Sequence, residues 1–250
     1  MTSLGTGVKP PYLEVARKPS PVVRAAQAVA VRTVACVVLG GIAAVALLGV
    51  LDWQIGLPGP FQLGAEGGTS ALFSTGLLAA GGGLAVLLGA RRFAPGGRAT
   101  WMAMGAFLGF MALDELLGVH EALERWTGVD WQLLYLPVVV IGGMAWLRAL
   151  YVLRHGHAVA QRLLVAGAAA WFTAQVLEHV QWDDADRLAH PWMVVPEEML
   201  EMTGSMLFGL AFLVLLKEAV GPVAADDPWT DSDGDGEHLL RRPGHGGGTL

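Results

Sequence analysis

Acids and histidines gather at three places in this chain, each at the end of an apolar stretch. Asp114, Glu115, His120 and Glu121 follow the uncharged residues 99–113, and Glu178 and His179 follow 163–177. Glu197, Glu198 and Glu201 precede the uncharged residues 202–216. Carboxylates and imidazoles are ligands for Fe, Mn or Zn, and inside membranes they also relay protons or hold coupling ions. Each uncharged stretch is fifteen residues long. Fifteen helical residues rise about 22 Å, whereas the hydrocarbon core of a bilayer is about 30 Å thick. If these stretches cross a bilayer, the groups that end them lie in hydrocarbon or line a polar cavity there. The cost of placing ionisable groups at that depth makes them functional candidates.

Composition supports the membrane. The chain is 54% hydrophobic and only 15% charged, with a mean hydropathy of +0.50. A soluble domain carries about 25% charge. The 34 glycines suit closely packed membrane helices. The net charge of −6 and the absence of a basic patch exclude a nucleic-acid partner. One cysteine, Cys36, excludes an intramolecular disulfide and a cysteine-rich metal site. The apolar run 33–51 follows a basic N-terminal segment, but it is longer than the core of a signal peptide and reads as an uncleaved first span.

The fold expected is all-α: a polytopic integral membrane protein with a six-helix transmembrane bundle. The spans fall at roughly 27–51, 69–90, 100–123, 131–153, 162–183 and 195–217. Residues 1–24 form a cytoplasmic N-terminal segment, 25–220 the transmembrane domain, and 221–250 a disordered acidic, Gly-rich cytoplasmic tail. Within the tail, Asp231, Asp233 and Asp235 sit at calcium-loop positions, but Arg242 stands where the loop needs a bidentate Glu. Lys and Arg concentrate in the N-terminal segment and in the loops at 91–99 and 154–162. The positive-inside rule then places both termini in the cytoplasm of a plasma or inner membrane. Trp53, Trp126, Trp131, Trp182 and Trp192 end spans on the opposite side, as an interfacial belt does, while Trp171 is a packing residue. Gly105 and Gly109 form a GxxxG, and Gly81, Gly82 and Gly83 cluster on the preceding span, as helix-packing signals.

That topology brings all three acidic clusters to one side and one depth. Helical phase then gives each span a polar stripe. Asp114 and Glu121 fall within about 20° of each other, with His120 alongside and Glu115 pointing away. Gln175, Glu178 and His179 share an arc on the fifth span, as do Glu197, Glu198, Glu201 and Ser205 on the sixth. Inward-facing carboxylates and imidazoles are how helical bundles hold metals, although the Glu-x-x-His of ferritin-like di-metal bundles is absent. The residues expected to bind a divalent metal (Fe, Mn or Zn) are Asp114, His120, Glu121, Glu178, His179, Glu198 and Glu201. Glu197 reads instead as part of an ordinary helix start beside Pro196.

The functional expectation is a metal-binding membrane protein with the site near the outer leaflet, its finer form a metal-dependent hydrolase or redox enzyme. Its catalytic residues are not identifiable. Its partners are the lipid bilayer, a small-molecule or lipid substrate and, as an open option, further copies of the chain. A proton- or cation-coupled transporter or channel component is the first alternative, set back by inner span halves nearly free of polar side chains. A structural or partner-binding membrane subunit is the second.

Overall fold

The computed structural model describes residues 31–57, 61, 68–91, 95–181 and 190–218. The N-terminal segment, the tail with its Asp231 loop, and Trp182 lie outside the described residues. The helices are α1 (Val31–Ile55), α2 (Thr69–Gly89), α3 (Arg98–Leu117), α4 (Val119–Thr127), α5 (Trp131–Leu134), α6 (Leu136–Leu153), α7 (Ala158–Gln181) and α8 (Val194–Glu218). No strand occurs among the described residues. Six helices, α1, α2, α3, α6, α7 and α8, are long and apolar enough to span a bilayer. Leu47, Leu72, Ile141, Met144, Leu147 and Phe172 are each more than half exposed, so the outer surface is an apolar belt. Such a surface is stable only in lipid. The chain is an integral membrane protein in contact with the bilayer.

The bundle is organised around α8, which packs against α1, α2 and α7 and carries the largest share of buried residues. On one side Met202, Met206 and Leu210 meet Ile42 and Val45 of α1. On the other, Phe208, Phe212, Leu215 and Leu216 join Leu88, Trp101, Leu108, Leu153 and Leu164 in the main core. Trp101 meets Phe212 edge-on at 6.0 Å between ring centres. Its indole N–H donates to the Pro95 carbonyl at 2.6 Å.

Part of the glycine signal on the second and third spans is a real contact, made by Gly82 and Gly105, while a Cβ on Gly83 or Gly109 would meet nothing within 4 Å. A Cβ on Gly82 would lie 3.1 Å from the Gly105 carbonyl oxygen, and one on Gly105 would lie 3.0 Å from that of Gly82. Backbones this close leave no room for a side chain, and dispersion between them replaces the hydrophobic effect, which is lost in lipid.

The predicted third span, 100–123, is interrupted. Gly118 adopts the left-handed conformation (φ 57°, ψ 40°), its N–H bonds the Asp114 carbonyl, and α4 starts afresh. Only glycine takes this conformation without penalty. The fourth span, predicted as 131–153, is likewise divided at Tyr135 into α5 and α6, with Pro137 in the first turn of α6.

Replacing Gly82 with Val should therefore destabilise the bundle by about 1–3 kcal/mol through forced separation of α2 and α3. Gly83→Ala, where nothing lies within 4 Å of a new Cβ, should be neutral. Thermal melts of the two variants in detergent check this contrast.

Candidate functional site: an acid-walled cavity

Between α2, α3, α6, α7 and α8 lies a cavity of about 630 Å³. That volume is within the range of small-molecule sites, about 300–1,000 Å³. Its walls divide sharply by chemistry. One end carries Asp114, Glu115, His120 and Glu121 from α3 and α4, Glu178 from α7, and Glu197, Glu198 and Glu201 from α8. The other is lined by Leu78, Met104, Phe107, Leu108, Trp146 and Phe208. Helix α1 contributes nothing to it.

The best-defined polar element is built by the α3–α4 break. Asp114, 4% exposed, turns back over the start of α4. The His120 backbone N–H donates to Asp114 Oδ1 at 2.9 Å, and His120 Nδ1 pairs with Oδ2 at 2.9 Å. The Tyr135 hydroxyl donates to Oδ1 at 2.6 Å. Three donors thus satisfy a carboxylate that would otherwise be costly at this depth. Trp131 packs on both rings, 5.2 Å from His120 and 5.7 Å from Tyr135 between centres. Burial disfavours the imidazolium, but it is outweighed by the hydrogen bond to Asp114 and the charges of Asp114, Glu115 and Glu178. The His120 pKa is raised as a result. Burial and the hydrogen bond to Asp114 also raise the pKa of Tyr135, keeping its proton in place.

Across the cavity, α7 and α8 are tied by side chains. Gln175 Nε2 donates to Glu201 Oε1 at 3.3 Å. The Trp171 indole N–H reaches the Glu201 carbonyl at 3.0 Å and Ser205 Oγ at 3.2 Å. Trp171 also packs edge-on to Phe208 and 6.0 Å from Phe107, joining the acidic end to the apolar one. Glu115 and Glu178 are close enough to act electrostatically on His120, Glu197, Glu198 and Glu201.

Six of the seven expected ligands, Asp114, His120, Glu121, Glu178, Glu198 and Glu201, line this one cavity. His179 does not; it is exposed on α7, one residue and about 100° beyond Glu178. Glu115, expected to point away, faces the cavity: on α3 it continues the stripe of Met104, Leu108 and Met111, whereas the expected stripe paired Asp114 with Glu121 across the break at Gly118. Glu197, read as part of a plain helix start, is 8% exposed and lines the cavity too. Its position one turn before Glu201 was the available signal. Trp131 lines the cavity rather than serving only as an interfacial anchor, and nothing in the chain's periodicity marked Tyr135. Glu121 also accepts from Arg125 at 3.2 Å at the exposed rim. Among the described residues, no three His, Cys, Asp or Glu side chains are drawn together as a ready metal site.

The family model described as Domain of unknown function (DUF8692) matches residues 29–216, and the chain belongs to that family. No curated protein and no solved structure matches the chain.

Two outcomes follow from the Asp114 cluster. Tyr135→Phe should cost about 1–3 kcal/mol, since it removes a donor from a buried carboxylate. Because the His120 pKa is raised by folding, its contribution to stability is complete below the unfolded value and is lost as pH rises through the folded one. The melting temperature of the parent should carry a component that falls above about pH 6.5, the unperturbed histidine value. Melts at several pH values should show this component missing from Asp114→Asn.

Proposed function

We propose that this member of the family binds a cationic ligand in the cavity, with a divalent Fe, Mn or Zn ion as the form best suited to the residues. The observation that carries the reading is charge imbalance. Seven carboxyl groups line the cavity against one imidazole, and no Lys or Arg lines it among the described residues. Like charges at close range in a low-dielectric space demand cations, whether protons or a bound ion. Glu115, Glu178, Glu198 and Glu201 are the proposed carboxylate ligands, and Glu197 reinforces the field. His120 spends Nδ1 on Asp114 and keeps Nε2 for a ligand, the usual arrangement of a ligating histidine. The separated carboxylates sit on flexible stems, so the ion would gather them by rotamer change. An ion held there supplies Lewis-acid or redox chemistry, which makes a membrane hydrolase or redox enzyme the finer reading.

The positive-inside rule, applied to the basic loops, supports a reading with the acidic end at the outer face of a plasma or inner membrane and both termini cytoplasmic. A transport path is disfavoured by what lies beyond the cavity. Leu88, Trp101, Ala149, Leu153, Leu164, Phe212 and Leu216 fill the rest of the bundle at 0% exposure to within a percent or so. A purely structural role leaves the shared direction of three acidic stripes without a purpose.

Mn²⁺ titration followed by electron paramagnetic resonance tests the proposal. The parent should bind about one ion, and Glu178→Gln with Glu201→Gln should weaken binding at least tenfold, about 1.4 kcal/mol. Equal affinity in parent and double variant would overturn it.

A further inference from the structure

The cavity is unevenly walled. Helices α2 and α3 are closely packed along their length, as are α7 and α8, whereas α6 and α7 meet sparsely. Toward the basic end their seam is sealed. Ala149, Leu153, Ala160 and Leu164 are fully buried there, and the Trp146 indole N–H bonds the Leu164 carbonyl at 3.1 Å. Nearer the acidic end the seam opens. Val139 and Phe172 line the cavity from α6 and α7 and are 53% and 71% exposed, so no neighbouring helix covers them. Between them Gly143 also lines the cavity, and a Cβ built on it meets nothing within 4 Å. Gly143 lies seven residues from the start of α6, about 10 Å below that helix end, which is hydrocarbon depth. The opening faces acyl chains.

A second feature concerns the head of whatever occupies the space. Gln181 is 4% exposed and lines the acidic end, and its Oε1 has no hydrogen-bond partner among the described residues. An unpaired buried acceptor calls for a donor. The carboxylates beside it call for positive charge. An ammonium group offers both, whereas phosphate, sulfate or carboxylate heads would be repelled.

We infer that the cavity admits a membrane-dissolved amphiphile sideways, between α6 and α7 past Gly143. The occupant is a long-chain amine, with its ammonium at the Gln181 and glutamate end and its chain against Phe107, Leu108, Trp146 and Phe208. This rests on the cation-binding reading and names a second source of the cation, an ammonium that competes with a metal ion for the same glutamates. The acid wall then selects the head and the aromatic floor holds the chain. Lateral access spares the amphiphile from leaving the bilayer.

The test uses the full-length protein in lipid nanodiscs with dodecylamine bearing a diazirine at its chain end, and labelled residues are mapped by peptide mass spectrometry. Saturable labelling of Phe107, Leu108 or Phe208 is expected, competed by unlabelled dodecylamine and not by dodecyl sulfate. Gly143→Trp fills the opening and should slow that labelling at least tenfold. Phe172→Ala removes an exposed ring, leaves the core intact and should speed it, so the inference stays testable if the tryptophan variant does not fold. Unchanged labelling rates in both variants would overturn lateral access. Labelling confined to lipid-facing residues such as Leu147, without saturation, would overturn the amphiphile. Mn²⁺ binding in the parent judges the metal separately: saturable amine labelling without Mn²⁺ binding would remove the metal and keep the amine.

Discussion

A carboxylate cannot face acyl chains, and that constraint arranges everything else in this molecule. The outer surface of the bundle is an apolar belt, and the acids of α3, α7 and α8 are turned into one space between the helices. Turning them inward removes contact with lipid but concentrates like charge. The structure relieves this locally at Asp114, where two N–H groups and a hydroxyl converge on one carboxylate. Among the described residues the glutamates receive fewer donors each: Glu178 interacts with Trp131 and Gln175, and Glu121 accepts from Arg125. Glu201 receives Gln175, and Gln181 Oε1 across the same space has no partner among the described residues. The remaining imbalance is the physical basis for assigning a cation to the cavity.

The scaffold supports this arrangement by being tight where the site is not. Backbone approaches at Gly82 and Gly105 lock α2 to α3, and α8 fills the axis with Phe208, Phe212, Leu215 and Leu216. This apolar plug closes the cavity toward the basic end, which leaves the acidic mouth and the seam between α6 and α7 as the routes for the proposed ligand. A closed floor, a charged wall and a lateral opening are what the proposed binding chamber requires.

Much of this was legible in the residues. Charge-free stretches located the six spans, and alternating basic loops set the acidic clusters at one end. Helical phase correctly turned Glu178, Glu198 and Glu201 toward a common interior. It failed where the helix stopped. Residues after Gly118 begin a new helix, so pairing Asp114 with Glu121 drew the stripe across a break and left out Glu115, which shares a face of α3 with Met104, Leu108 and Met111. His179 adjoins Glu178 in sequence, yet a single helical step carries it to the exposed face. Tyr135 and Trp131 joined the site through tertiary contact alone, which no local pattern encodes. The opening beside Gly143 is an absence of packing between two helices. A list of apolar residues does not reveal such a gap.

Native mass spectrometry on protein released gently from mild detergent is the most direct test of a cation held in this cavity. The account predicts a retained adduct on the parent, a metal ion or an organic cation, whose mass identifies it, and its loss from a folded variant carrying Glu178→Ala and Glu201→Ala. Bare protein mass in both, under conditions that preserve bound lipid on control membrane proteins, would contradict it.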